Sequence, residues 1–331
     1  MSRVAIIFTG GTIAMLPDPA TDAVVPSLDG AAILDRVPGL QRLADLEPVD
    51  WGLVPASHLS FGQILGLAEL LERTLSRNDV DGAVVVQGTD TMEETAFAFD
   101  LLVSGDKPVV VVGAMRNAAD PAWDGAGNLR DAVRVAASER WRDAGTLVVM
   151  GGRVMPGDDA TKLHSQADEA FGSPNAGPLG TVDAESTEAT RARGPRRRLG
   201  RIPGAAAEPV FLVTAAVGMD GASVRALGSL APRGLVVAAT GAGNTHPDLL
   251  AAGREQMAAG IPVALTSRCV AGGVAPAYGF SGGGQTWLAA GAIDCGTLSG
   301  PKARVALALG LGAGLDEAGL RSLLAEPRPD G

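Results

Sequence analysis

Short, continuously apolar runs alternate with longer amphipathic stretches along the first half of the chain. Four β-branched runs predict strands that are buried on both faces, as in a parallel sheet: residues 4–8, 83–86, 109–112 and 146–150. Apolar residues recur at helical spacing in the stretches 62–75, 92–103 and 127–140, which predicts amphipathic helices. This alternation predicts an α/β domain with a doubly wound sheet and right-handed crossovers.

A smaller alternation resumes in the second half of the chain. Strands are predicted over 209–215, 235–239 and 262–266, and helices over 248–259, 302–309 and 316–325. We therefore predict a larger N-terminal α/β domain over 1–190, an Arg/Gly/Pro-rich linker over 191–209 and a smaller C-terminal α/β domain over 210–331.

Six arginines cluster around this predicted linker: Arg191, Arg193, Arg196, Arg197, Arg198 and Arg201. Such a run is compatible with an arm that binds nucleic acid or with a solvated connection near a domain boundary. We favour the solvated connection, because charge runs usually cover solvated faces and the rest of the chain is acidic.

Composition narrows the classes of partner. The 331 residues carry a net charge of −10 with a sequence pI near 4.8, which argues against a polyanionic partner. Aromatic residues make up 4% of the chain, so side chains on which bases could stack are scarce. Hydrophobic residues make up 46%, enough for a sizeable core. The expected partner is a small molecule and not a nucleic acid.

Cysteine content and the absence of long apolar stretches suggest where the protein works. The two cysteines, Cys269 and Cys295, form no disulfide framework and lie in no metal-ligand spacing. The apolar run near the N-terminus is too short for a secretory signal, and no stretch approaches the roughly 20 apolar residues of a membrane span. We expect reduced thiols, a cytoplasmic location and no membrane association.

The loops at the carboxyl ends of parallel strands form the ligand crevice of a doubly wound sheet. The first such loop, residues 9–14, has the sequence Thr-Gly-Gly-Thr-Ile-Ala. Its glycines are compatible with a phosphate-binding turn, but neither nucleotide-binding motif, G-x-G-x-x-G or G-x-x-x-x-G-K-[ST], is present. The alternative is that Thr12 serves as a nucleophile, although a lone threonine after glycines is more often a turn residue.

The loop over 87–95 follows another predicted strand and opens a helix. Asp90 and Thr91 could simply cap that helix, with Glu93 and Glu94 favouring its N-terminal dipole. Alternatively, Thr89 and Asp90 form a polar site with Thr12, in which the carboxylate suits a substrate ammonium better than a phosphate.

No histidine lies in a recognisable catalytic context. His58, His164 and His246 fall outside H-E-x-x-H and nucleophile-triad patterns. Lys162 lies in a polar segment beyond the fourth predicted strand, where it is either a solvated surface residue or, if it is partly desolvated beside a hydroxyl, a proton acceptor.

Taken together, these segments resemble the bacterial-type L-asparaginase family, amidohydrolases with a threonine nucleophile. The matching stretches follow the family's order across nearly the whole chain: 9–14, 87–95, 112–116 with Asp124 and Asn128, 171–180, 241–244, 267–268 and 299–304. The first two together are highly specific. The resemblance implies hydrolysis of L-asparagine to L-aspartate and ammonia through a threonine acyl-enzyme, without metal or organic cofactor.

The resemblance also implies roles for individual residues. Thr12 matches the nucleophile, and Thr89 with Lys162 matches the pair that activates a nucleophile or a water. Asp90 matches the carboxylate that holds the substrate α-ammonium. Ser57 matches the serine that binds the substrate α-carboxylate. His58 and Gly88 fall at neighbouring positions and are also expected to bind substrate. The family further implies a homotetramer built of intimate dimers.

The sequence departs from the family at several positions. A tyrosine is common in the mobile segment after the nucleophile, but Val24 stands in its place; His58 replaces a frequent glutamine, and His246 stands where some members have Asn. The stretch 269–284 lacks the acidic residue that members often contribute across the dimer. A broader asparaginase-glutaminase and a non-catalytic amino-acid-binding protein therefore remain alternatives. We expect residues 15–27, which contain three prolines, to act as a lid over Thr12.

Overall fold

A computed structural model of the chain describes residues 1–21 and 23–327. It divides into two units, Met1–Gly194 and the residues from Pro195 onwards. The strands of the first unit are β1 Arg3–Phe8, β2 Met15–Pro17, β3 Val24–Pro26, β4 Asp45–Asp50, β5 Gly82–Val86, β6 Val109–Val112, β7 Thr146–Met150, β8 Arg153–Pro156, β9 Thr161–Lys162, β10 Phe171–Gly172, β11 Gly180–Val182 and β12 Thr187–Ala189. Its α-helices are α1 Gly30–Asp35, α2 Phe61–Leu75, α3 Met92–Leu102 and α4 Gly125–Ala136.

The main sheet of the first unit has the order β12-β11-β8-β7-β6-β5-β1-β4 among the described residues. The segment from β7 to β4 is parallel, and β8, β11 and β12 continue it as antiparallel strands. The chain leaves β1 for β4 on one side and then returns to β5 on the other. The strand order therefore reverses between β1 and β5, which is where a doubly wound sheet opens a ligand crevice.

The four strands predicted from apolar runs form the buried centre of this sheet. The residues of β5, β6 and β7 are all buried, because helices cover a parallel sheet on both faces. Helix α2 begins with a capping box formed by Ser60 and Gln63. Helix α4 stops at Ala136 instead of continuing to residue 140, because Ser138 is extended and its side chain accepts a hydrogen bond from the Arg140 N–H of a following 3₁₀ turn.

The second unit is a smaller α/β sheet. Its strands are β13 Val210–Thr214, β14 Gly234–Ala239, β15 Val263–Ser267 and β16 Ile293–Asp294, all parallel and adjacent in chain order. Its helices are α5 Ala222–Gly228, α6 Pro247–Ala258, α7 Gly284–Ala289, α8 Gly300–Gly312 and α9 Glu317–Leu324. Trp287 is fully buried in a core of aliphatic side chains from the sheet and from α6. The mixed α/β class with a larger N-terminal and a smaller C-terminal domain is confirmed.

The Arg-rich segment 191–209 is not solvated throughout. The Arg193 side chain is 7% exposed and pairs with Asp100, and the buried Arg197 side chain pairs with Glu326. The prediction of a solvated connection is wrong for these two arginines, because each is neutralised inside its own unit. Within residues 1–21 and 23–327, no helix combines the length and apolar character needed to cross a membrane.

Candidate active site

The loops that follow β1 and β5 approach each other at the point where the strand order reverses. Gly11 has φ +93°, and a Cβ atom there would lie 2.2 Å from the Gly88 backbone nitrogen. Only glycine allows this close packing in that backbone conformation. Thr12 then opens a 3₁₀ turn, Thr12–Ala14, and its hydroxyl bonds to no other described residue. The fold thus presents an unengaged hydroxyl beside the Gly88–Thr89 backbone.

A third loop, after β4, joins the same place. A Cβ on Gly88 would lie 2.9 Å from Ala56 Cβ, so the turn Ala56–His58 packs directly against the β5 loop. Thr91 Oγ1 donates a 2.8 Å hydrogen bond to the Ala56 carbonyl. Ser57 and His58 are exposed on this turn. Thr91 occupies the N-cap position of α3, with Glu93 and Glu94 in the first turn, as the capping interpretation predicts. Its side chain makes no cap hydrogen bond, however, and Asp90 has another partner.

That partner is Lys162. Its ammonium Nζ donates to Thr89 Oγ1 at 2.9 Å and to Asp90 Oδ1 at 2.8 Å. The Lys162 side chain is 14% exposed, whereas that of Asp90 is 69% exposed. The alternative of a solvated surface lysine is therefore wrong. A cation, a hydroxyl and a carboxylate form one hydrogen-bonded group, with the carboxylate on the solvent side.

Neighbouring loops hold Thr89 from behind. A Cβ on Gly113, in the loop after β6, would lie 3.1 Å from Thr89 Cγ2, so this loop packs against the threonine. Asp124 fixes the loop by accepting hydrogen bonds from the backbone N–H groups of Met115 and Arg116. Asn128 ties Asp124 to the Gly113 carbonyl. Sequence reasoning assigned no role to these residues, although 112–116, Asp124 and Asn128 belong to the matching stretches.

Lys162 lies on a two-residue strand, β9, which pairs with β10 in a short antiparallel hairpin. The start of this hairpin is held by Asp159, whose carboxylate accepts hydrogen bonds from the Asn175 side chain and from the N–H groups of Asn175 and Ala176. Its connecting loop is held by Asp168, which the Arg116 guanidinium binds through two hydrogen bonds of 2.8 and 3.0 Å. Hydrogen bonding to Arg116 lowers the pKa of the Asp168 carboxyl.

The other two histidines have structural roles. His164 Nδ1 accepts hydrogen bonds from the N–H groups of Gln166 and Ala167, and His246 Nδ1 accepts from Asp248 N–H at the start of α6. In the described part of the chain, no group of three His, Cys, Asp or Glu side chains could hold a metal ion.

The segment after Thr12 folds as a hairpin. Strands β2 and β3 pair antiparallel, and the Ser27 and Leu28 N–H groups donate to the Ala14 carbonyl. Val24 is exposed, and the Thr21 hydroxyl donates to Asp18 within the turn. The gating motion of residues 15–27 stays a prediction.

The assembled group combines the parts of nucleophilic catalysis. An unengaged hydroxyl, Thr12, stands on a loop packed against the backbone that carries Thr89, and Thr89 is bonded to an amine. A hydroxyl nucleophile needs a proton acceptor within reach, directly or through an intermediary, and a second hydroxyl–amine pair can supply it. The exposed Asp90 carboxylate offers a binding point for a cationic group.

Comparison with known proteins gives a consistent result. Residues 3–194 match the family model described as Asparaginase, N-terminal, and residues 209–324 match that described as Glutaminase/Asparaginase C-terminal domain. The chain is 36% identical over 328 residues to a probable L-asparaginase of Deinococcus radiodurans, with 98% of each chain covered. It is 28% identical over 310 residues to an L-asparaginase of Bacillus licheniformis, with 93% of this chain and 94% of the relative covered.

A solved structure agrees in both fold and extent. The probable cytoplasmic L-asparaginase from Campylobacter jejuni superposes with a TM-score of 0.87 at 29% identity, covering 98% of this chain and 99% of that one. Since the family models match most of the chain and a 36% identical relative spans nearly all of it, the protein belongs to the bacterial-type L-asparaginase family.

Proposed function

We propose that the protein hydrolyses L-asparagine to L-aspartate and ammonia through an acyl-enzyme on Thr12. The observation that carries the proposal is the 2.9 Å hydrogen bond from Lys162 Nζ to Thr89 Oγ1, beside the loop that bears the unengaged Thr12 hydroxyl. The relatives from D. radiodurans and B. licheniformis, whose names specify asparaginase activity, support the same substrate.

Thr12 initiates the reaction. Its Oγ1 attacks the side-chain carboxamide carbon, and its proton passes towards the Thr89–Lys162 pair, where the amine form of Lys162 accepts it. The proton is then delivered to the amide nitrogen, the C–N bond breaks and ammonia leaves. Water, deprotonated by the same pair, attacks the Thr12 ester, and the pair returns that proton to Thr12 Oγ1 as the C–O bond breaks and aspartate leaves. The acyl-enzyme divides one difficult hydrolysis into two easier steps.

Substrate binding orients the amide for this attack. The exposed Asp90 carboxylate holds the α-ammonium, and Ser57 holds the α-carboxylate from the neighbouring turn, with His58 and Gly88 completing the contact. Backbone N–H groups of the β5 loop, at Thr89, stabilise the oxyanion. Affinity for the amino-acid head group is thereby converted into orientation of the reacting carbon.

Ammonia release from L-asparagine tests the proposal. The wild type should turn over, and Thr12→Ala should lower kcat by about 10³-fold or more, because the hydroxyl that forms the acyl-enzyme is lost. Thr181→Ala, which removes an exposed hydroxyl on β11, is the matched control and should leave kcat unchanged. An unaffected Thr12→Ala rate would reject the assigned nucleophile. Comparing kcat/KM for asparagine and glutamine decides between a selective asparaginase and a broader asparaginase-glutaminase.

A second candidate is a non-catalytic asparagine- or aspartate-binding protein. It is favoured by Val24, which stands where many family members have a tyrosine, and by the lack of acidic residues in 269–284. Tight binding without turnover at every pH between about 6 and 9.5 would establish it.

We also propose a homotetramer and a cytoplasmic location. The second unit exposes Val217, Val270, Tyr278 and Phe280 in the loops after β13 and β15, an apolar set that suits burial against another copy. Light scattering tests the assembly, with a monomeric mass as the outcome against it. Both cysteines are free, as expected of a reducing compartment, and the related C. jejuni protein is described as cytoplasmic.

A further inference from the structure

Arg193 is buried at the end of the first unit, where sequence reasoning expected a solvated linker. Its side chain is 7% exposed and meets two carboxylates, Asp100 at 2.5 Å and Asp158 at 2.8 Å. It also donates to the carbonyls of Ala144 and Thr146. A single planar guanidinium thus bonds to several separate chain segments, which a lysine ammonium could not match in the same plane.

The two carboxylates lie on the two chain segments that adjoin the site residues Asp90 and Lys162. Asp100 lies in the last turn of α3, the helix that begins directly after the loop carrying Thr89 and Asp90. Asp100 is 2% exposed and also accepts a hydrogen bond from Thr146 N–H on β7, so its carboxylate is anchored to the main sheet. The guanidinium holds it through two hydrogen bonds, at 2.9 and 2.5 Å.

Asp158 lies four residues before Lys162. The intervening Asp159 is itself held by Asn175 and Ala176, so the whole stretch from Asp158 to β9 is tightly bonded. Lys162 then reaches Thr89 and Asp90 from this stretch. Arg193 therefore connects the helix that follows Thr89 to the segment that carries Lys162.

We propose that Arg193 is a positioning residue for Lys162: by bridging Asp100 and Asp158 it sets the distance between the Lys162 amine and the Thr89 hydroxyl. The inference rests on the proposed function for its kinetic consequences but not for its structural one. A displacement of about 1 Å in a reacting group can lower a rate by about 10²-fold, so loss of the bridge should lower kcat.

The test uses Asp158→Asn, because substitution of Arg193 itself leaves Asp100 buried without its cation and threatens folding. Asp158→Asn keeps the Arg193–Asp100 pair and removes only the charge on the Lys162 side. The matched control is Asp106→Asn, which breaks the Arg142–Asp106 pair of the same unit outside that hairpin and at the exposed surface, where an ion pair contributes little. Asp158→Glu tests rescue by a retained carboxylate.

The kinetic readout is a double-mutant cycle with Lys162→Met. We expect Asp158→Asn to lower kcat by about tenfold or more with a smaller change in KM, Asp158→Glu to recover part of the loss, and Asp106→Asn to have little effect. In the Lys162→Met background, Asp158→Asn should lower kcat no further, because the group it positions is gone. An equal loss in both backgrounds, or a loss of stability with kcat unchanged, would overturn the proposal.

A second readout does not depend on activity. The chain has three lysines, Lys107, Lys162 and Lys302, so acetylation by acetic anhydride can be followed at each by peptide mass spectrometry. Lys107, whose Nζ donates to two backbone carbonyls, serves as the internal reference. Asp158→Asn should raise the labelling of Lys162 relative to Lys107 by about fivefold or more, as the amine leaves its partners. An unchanged ratio would reject the positioning role even if the wild type hydrolyses no asparagine, whereas a raised ratio in an inactive wild type would reject only the proposed function.

Discussion

The two units are built from the same parts but differ in strand order. In the first unit the parallel strands run β4-β1-β5-β6-β7, so the chain reverses direction across the sheet at β1. In the second, β13 to β16 are adjacent in chain order and nothing reverses. A reversal separates the crossovers on either side and leaves a crevice at the carboxyl ends of the strands. The polar group around Thr89 and Lys162 lies at that reversal.

The group around Lys162 also differs from exposed ion pairs of the second unit. Lys162 in the first unit bonds a hydroxyl and a largely exposed carboxylate, an arrangement open to a ligand. In the second unit, Arg225 pairs with Glu255 between α5 and α6, and Arg321 pairs with Glu317 within α9. The first pair joins two helices and the second lies within one, and exposed pairs of this kind contribute little energy each. The comparison indicates that reactive chemistry depends on where a pair lies in the sheet topology, not on the number of pairs.

Removing the Lys162 amine should cause the largest loss of activity among the substitutions of charged side chains. We expect Lys162→Met to lower kcat by about 10³-fold, because the proposed proton acceptor is lost while the apolar stem is kept. Lys107→Met is the matched control in the same unit: it removes hydrogen bonds to the Leu75 and Arg77 carbonyls and should reduce stability by about 1 kcal/mol with kcat unchanged. Steady-state ammonia release and thermal unfolding measure both effects. Equal kcat in the two variants would remove Lys162 from the chemistry.

A glycine in the turn after β1 and one in the turn after β14 differ in how closely other atoms pack against them. Gly11 after β1 and Gly241 after β14 both have positive φ, +93° and +52°. A Cβ on Gly11 would collide with the Gly88 backbone, whereas one on Gly241 would meet nothing within 4 Å. We expect Gly11→Ala to destabilise the protein by roughly 3 kcal/mol or more and to abolish turnover, through strain and overpacking together.

Gly241→Ala serves as the control for an alanine at positive φ that meets no neighbouring atom. It should cost about 1–2 kcal/mol, the penalty of a left-handed alanine, and leave kcat per folded molecule unchanged. Urea unfolding and active-site-normalised rates provide the measurements. If the two variants lose the same stability, the close packing of the β1 and β5 loops contributes nothing beyond the turn geometry.

Sequence pattern predicted the central strands because their signal is local. The four valines of β6 are bounded as predicted, at 109 and 112, since a continuous β-branched run is buried on both faces. Strand β4, Asp45–Asp50, escaped prediction because it is an edge strand with acidic residues and a proline, Pro48, bonded only to β1. The pairs β9–β10 and β11–β12 are too short for any periodicity to appear.

Some residues of the candidate site likewise have a local sequence signal, and others do not. Thr12, Thr89 and Asp90 were found because they follow apolar strands, where a parallel sheet places its ligands. The contact of Lys162 with Thr89 joins positions 73 residues apart, and only the family resemblance pointed to it. The burial of Arg193 was not predicted, because its partner Asp100 is 93 residues away in the sequence. A cluster of arginines has the same sequence pattern whether its members are solvated or paired with distant carboxylates.

The smallest predicted effect is a change in stability at a carboxyl group with a raised pKa, which lies away from the reversal in strand order. Burial raises the pKa of Asp131 on α4 to about 6, reinforced by Asp183 and opposed by Arg134. Because the folded protein then holds this proton more tightly than the unfolded chain, the contribution of Asp131 to stability is most favourable below about pH 4 and falls as the pH rises towards 6. Above that pH the buried charge remains a cost, which Asp131→Asn removes.

We therefore expect Asp131→Asn to raise the free energy of unfolding at pH 7 by about 1 kcal/mol, after allowance for solvent screening, and to leave it unchanged at about pH 4. Glu188→Gln, at an exposed position on β12, is the control and should alter stability at neither pH. Urea titrations at both pH values measure the difference, and kcat should stay unchanged in both variants. A loss of kcat in Asp131→Asn would extend the reactive region of the first unit beyond the β1–β5 crevice, and would mean that strand reversal alone does not define where this unit does its chemistry.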